Sequence, residues 1–111
     1  MEPGTLSRRG YVRYWVKAEC ADTGTKDFFV NWLRNGHAQA LIDGGAAWYE
    51  ITAGGRYSVE AMYGFSDEMA FQAYLREKAP ELRAASQAAF GTNSQYCGKI
   101  SFSRFRGEKV A

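Results

Sequence analysis

Residues 46–65 read AAWYEITAGGRYSVEAMYGF, and this stretch decides how the rest of the chain must be arranged. Residues 46–53 are short and β-prone, and residues 56–65 alternate apolar with polar side chains. Gly54-Gly55 between them is a tight-hairpin signal. Two strands joined directly in this way lie antiparallel, and what flanks them fixes the topology.

On the N-terminal side, residues 11–21, YVRYWVKAECA, alternate with period two. Val12, Tyr14, Val16, Ala18 and Cys20 fall on one apolar face, so this segment is read as strand 1. A turn, ADTGT, follows, with Thr25 placed to cap a helix over about Lys26 to Ile42. Phe29, Leu33, His37, Ala40 and Leu41 share one face of that helix, and Asp43-Gly44-Gly45 stops it.

On the C-terminal side, Ser66 is a suitable N-cap for a second helix, 66–79, which puts Phe71, Tyr74 and Leu75 on one face. Pro80 opens a further helical segment that ends at Gly91. Residues 92–98 form a loop, and 99–108, KISFSRFRGE, read as strand 4. The order β-α-β-β-α-β with a central hairpin is the split, ferredoxin-like arrangement. It implies an α+β domain over 10–111, with residues 1–9 as a flexible N-terminal arm. The sheet is expected to be antiparallel in the order 4-1-3-2, with helices on one face only.

The other face then carries Tyr11, Arg13, Trp15 and Lys17 from strand 1. Solvent does not require a tryptophan there, and large aromatics on an open sheet face more often meet a partner. A homodimer is therefore expected, two sheets packed face to face as a dimeric α/β barrel of eight strands. The plainer alternative is a monomer with a few exposed aromatics.

Composition narrows the classes. A hydrophobic share of 46% argues against disorder. A net charge of +2 is too small for nucleic-acid binding by bulk charge. No apolar run approaches the ~20 residues of a membrane span, and MEPGTLSRRG has no apolar leader segment. With only Cys20 and Cys97, a cytoplasmic protein with reduced thiols is expected. The topology places these two cysteines near one another. Two separated cysteines and one histidine have no zinc-ligand spacing, so no metal is expected. No glycine-rich phosphate loop, nucleotide fingerprint or G-x-S-x-G elbow occurs. One histidine could ligate haem iron, but nothing else points to haem, and no cofactor is expected.

Several of these residues also carry a resemblance. Ala73-Tyr74-Leu75, Ala79-Pro80, Leu82-Arg83, Phe90 and Ser103-Arg104 resemble the AYL-x-x-x-AP-x-LR…F…S-x-R pattern of an uncharacterised family of short bacterial proteins. That family belongs to the dimeric α/β-barrel (ferredoxin-like) superfamily. Trp32, Leu33 and His37 resemble its W-L-x-x-H segment, with one extra residue, at Asn35-Gly36, before the histidine. The likeness spans about residues 11–106. It implies the same fold, and leaves open which chemistry of that superfamily applies: cofactor-free monooxygenation, isomerisation, haem degradation or none.

His37 is the one side chain whose ordinary pKa suits acid–base work near neutral pH. It is expected on the sheet-facing side of helix 1, beside Gly36; the plainer reading is a rim histidine bonded to backbone. Tyr14 and Tyr63 are candidates to steady an enolate or phenolate, or else are core aromatics. Trp15, Trp32 and Trp48 are candidate contacts for an aromatic ligand, although packing explains them more simply. Arg8, Arg9, Arg13, Arg104 and Arg106 are expected together at one end of strands 1 and 4, where Arg13 and Arg104 would hold an acid group. Intramolecular pairs with Glu60 or Glu108 are the alternative.

The function expected is cofactor-free acid–base chemistry of isomerase, cyclase, lyase or monooxygenase type on an aromatic or enolisable organic molecule. The alternative is a non-catalytic small-molecule-binding or interaction module.

Overall fold

In a computed structural model, which describes residues 12–109, the hairpin forms one side of a four-stranded antiparallel sheet, with its first strand at the edge. The strands are β1 (Val12–Cys20), β2 (Trp48–Gly54), β3 (Ser58–Phe65) and β4 (Ile100–Glu108), in the order β2-β3-β1-β4. This is the expected order and an α+β, ferredoxin-like fold. The expected arm at 1–9, with Arg8 and Arg9, and also Tyr11, lie outside the described residues.

Gly54 faces Ser58 across the hairpin, and Gly55 adopts φ 61° in the connection, a conformation that suits a residue without Cβ. Period two does the rest. Val12, Ala18, Val59, Ala61, Tyr63 and Phe65 point to one face and are all but fully buried under the helices.

The helical layer starts at α1 (Thr23–Trp32). Its cap is Asp22 rather than Thr25: the Asp22 carboxylate accepts from the backbone N–H of Thr25 at 2.7 Å, and also from the Thr25 hydroxyl. Three residues separate them, the spacing of an N-cap and its third helical residue. Likewise Asp67, not Ser66, caps α3 (Glu68–Glu77) by accepting from the N–H of Ala70. A carboxylate satisfies the orphan N–H and meets the helix dipole as well, which a hydroxyl does not. Pro80 lies in the first turn of α4 (Ala79–Phe90), which Gly91 terminates.

The long first helix departs from expectation in the middle. After α1 the chain makes a π-helical turn, Leu33–His37, before resuming as α2 (Ala38–Asp43). Gly36 sits at φ 137°, and the N–H of Ala38 donates to the carbonyl of Leu33, five residues back. Ala38 thereby takes the fully buried position that a 3.6-residue period assigns to His37. His37 is turned aside and is only partly buried.

The open face is built in rows. Met62, Trp15 and Phe105 are cross-strand neighbours on β3, β1 and β4, and Phe105 is 55% exposed. In the next row Gly64 and Gly107 flank Arg13. A Cβ on Gly64 would lie 2.2 Å from the Trp48 indole, and one on Gly107 would lie 3.2 Å from Trp15. Two tryptophan side chains thus pack closely against glycines.

Candidate functional site

The helical layer covers the middle of the sheet and leaves its β4 edge partly open. A cavity of about 40 Å³ lies there, between the two layers. Tyr14 and Val16 of β1, Tyr63 of β3, and Phe102 and Arg104 of β4 form its floor. Phe29, Trp32, Leu33, His37 and Leu41 close it from the first helical stretch. Tyr74 of α3 and Leu82, Arg83 and Ser86 of α4 complete it. Val16 faces Arg104 across the β1–β4 pair, and its short side chain beside the ring of Tyr14 leaves the space. A wider groove of about 300 Å³ continues outward along α4 and β4 and shares Arg83, Ser86, Phe102 and Arg104.

His37 stacks on Trp32, with ring centroids 3.9 Å apart and 22° between planes. Both rings also border a second, largely apolar depression on the outside, so the pair forms a wall between cavity and surface. No hydrogen bond holds the imidazole to backbone or to a tyrosine among the described residues. Burial, with help from the nearby Arg104 charge, pushes the His37 pKa down to about 4, so the ring is neutral at neutral pH.

Three tyrosines meet at the floor. The Tyr14 ring lies 6.3 Å from Tyr63 and 6.2 Å from Tyr74. None of their hydroxyls has a hydrogen-bond partner among the described residues, yet none is sealed from solvent in the interior. All three residues line the cavity. Burial drives the Tyr63 and Tyr74 phenols well above their ordinary pKa, with the neighbouring tyrosines adding to the rise. Both remain protonated, and so remain hydrogen-bond donors.

The structure therefore gathers His37, Tyr14, Tyr63, Trp32 and Arg104 at one cavity. It does not bring Trp15, Trp48 or Arg13 there. Trp15 and Arg13 point to the open face, and the Arg13 guanidinium lies 5.7 Å from the Trp48 ring centroid. The expected arginine cluster is split by the pleat: within the described residues Arg13 faces Gly107, while Arg104 and Arg106 lie on the helix side. Arg106 is held by Glu68 at 2.7 Å and by Glu108 at 3.1 Å. Cys20 and Cys97 are both free thiols; Cys20 is buried opposite Ile100, and Cys97 is exposed.

Tyr74, Arg83 and Ser86 were not proposed as site residues from the sequence. Arg83 and Ser86 stand three residues apart, beside the buried Leu82, on one face of α4. That polar pair next to a core position is the signal that could have found them. Among the described residues, no three His, Cys, Asp or Glu side chains converge as a metal site requires, and no helix is long and apolar enough to cross a membrane.

Neither a family model nor a curated protein matches the chain. Solved structures do match its fold. A dimeric ferredoxin-like protein from an uncultured marine organism superposes with TM-score 0.65 at 14% identity, covering 91% of this chain and 96% of that one. A protein of unknown function from Bacteroides thetaiotaomicron, called a possible oxidoreductase, gives 0.61 at 10% identity, over 91% and 99%. HapK from Hahella chejuensis gives 0.59 at 16% identity, over 89% and 92%. The resemblance read from the sequence thus reaches these structures at the level of the fold.

Proposed function

We propose that this chain is a small-molecule enzyme that moves a proton with its own side chains, on an aromatic or enolisable organic substrate. The observation that carries the reading is the cavity over His37: a neutral imidazole and three phenols face one space, with no hydrogen bond among the described residues to occupy them. Polar groups left without protein partners in a mostly apolar cavity are what a ligand satisfies.

In this reading His37 takes the substrate proton, and the protonated Tyr63 and Tyr74 donate to the oxygen on which charge develops, with Tyr14 beside them. Trp32 fixes the plane of the imidazole. An enolisable carbonyl needs only these two elements, a base at the carbon and donors at the oxygen. Isomerisation, cyclisation and lyase chemistry all begin with that step.

The working unit in this reading is a homodimer through the open sheet face. The Met62–Trp15–Phe105 row supports it, because an apolar row across an uncovered sheet is what a second sheet buries. So does the dimeric ferredoxin-like protein whose fold this chain shares.

A second reading, a non-catalytic small-molecule-binding module, is favoured by one observation: no hydrogen bond links His37 to a tyrosine among the described residues. Keto–enol exchange of phenylpyruvate, followed by deuterium uptake from solvent, separates the two. The enzyme reading requires exchange above the buffer rate that His37→Ala abolishes while phenylpyruvate still binds. Exchange that His37→Ala leaves intact removes the catalytic role, and binding without exchange favours the module.

A further inference from the structure

The inner cavity and the outer groove share one edge, formed by Arg83, Ser86, Phe102 and Arg104. Among the described residues, no aspartate or glutamate lines either space. Arg83 and Arg104 form no ion pair among the described residues. Arg106 is the contrast: two residues along the same strand and on the same face, it is neutralised by Glu68 and Glu108. The Arg104 guanidinium instead lies 5.7 Å from the Phe102 ring centroid. Both arginines are close enough to Tyr74 to favour its ionised form against the effect of burial.

Arg83 and Arg104 are both exposed at the mouth of the cavity, and two such charges with no acidic partner among the described residues attract an anion. Their planar forks match a carboxylate in two-point contact. The Ser86 hydroxyl lies between inner and outer spaces and adds a donor.

Resting on the pocket reading above, we infer that the ligand is an organic acid whose carboxylate is held at the mouth by Arg83, Arg104 and Ser86, with its apolar body directed inward toward His37 and Tyr74. The substrate class narrows accordingly, from any enolisable molecule to a carboxylic acid bearing a flat apolar body. The polarity of binding is set as well: the acid group stays at the α4–β4 edge, and the reacting atoms go inward.

Cinnamate and its isosteric neutral amide, cinnamamide, test this by calorimetric titration against the wild type and against Arg83→Gln/Arg104→Gln. The wild type should bind cinnamate about tenfold more tightly than the amide or better, and the double variant should bind both alike. The amide affinity should be the same in both proteins, which shows that the variant is folded and its cavity intact. Equal binding of acid and amide by the wild type overturns the subsite and leaves the pocket standing. An undiminished preference for the acid in the double variant does the same. Failure of the wild type to bind either compound removes the pocket reading along with the subsite.

Discussion

The imidazole of His37 lies against the indole of Trp32, with centroids 3.9 Å apart. Trp32 also meets Phe29 at 6.0 Å and Phe90 at 5.0 Å, so the wall that carries the histidine is anchored in the core. Trp32→Ala should cost about 2 kcal/mol of stability, below the cost for a fully buried aromatic, and should weaken ligand binding further by freeing the imidazole. Trp32→Phe should keep the stack and most of the affinity. Chemical denaturation beside ligand titration checks both.

The depressed His37 pKa makes a statement about acid stability. Between about pH 6.5 and pH 4 the unfolded chain binds a proton at this histidine that the folded chain does not. Above that window the residue is neutral in both states and contributes no pH dependence. Stability should therefore fall as pH drops through the window, by up to about 3 kcal/mol in all. His37→Gln should flatten the curve there. Asp22 and Glu68, whose pKa values are lowered by hydrogen bonds from Thr25 and Arg106, act at lower pH, where their protonation removes those bonds. Melting curves from pH 7 to 4 for both proteins decide it.

Removing a hydroxyl with no protein partner should cost the fold little. Tyr63→Phe and Tyr74→Phe are expected within about 0.5 kcal/mol of wild type in stability. In activity each should lose about tenfold or more, since the lost donor would have faced the developing charge. Equal losses of stability and activity would mean that the phenols serve packing alone.

On the other face, the open sheet should associate through Trp15 and Phe105. Phe105→Glu places a charge at the β4 end of the exposed apolar row, beside Trp15, and should yield a monomer by light scattering. Gly64→Ala acts differently. Its methyl group collides with Trp48, which must lift off the sheet. A loss of about 1–3 kcal/mol of stability is expected, together with weaker association.

Much of this was legible in the sequence because period two is robust. Strands 1 and 3 follow from alternation, the hairpin from Gly54-Gly55, and the strand order from the β-α-β-β-α-β succession of elements. Five of the eight candidate residues meet at the cavity, since Tyr14, Tyr63 and Arg104 lie on the helix side of their strands, where alternation puts them. Trp15, Trp48 and Arg13 lie away from the cavity, on the open face. The tryptophans were proposed by residue type and Arg13 by its strand-end position, while pleat parity sends all three to the open face. The caps shifted by one or more residues because a nearby carboxylate outcompeted a hydroxyl. Arg83 and Ser86 stayed hidden because sequence shows that a helix has a polar face, not that an edge strand leaves that face open.

The π turn gives the helix room for one more residue. Relative to the W-L-x-x-H segment it resembles, this chain carries one more residue between Leu33 and His37. The turn absorbs that residue without disturbing Phe29 before it or Leu41 after it, both of which stay buried. Each residue of an ordinary helix turns the chain by about 100°. Losing Asn35 would let the turn close into a regular helix and swing the imidazole relative to its indole partner, while the hydrophobic interior kept its occupants. One residue in the turn thus separates two orientations of the histidine on one scaffold.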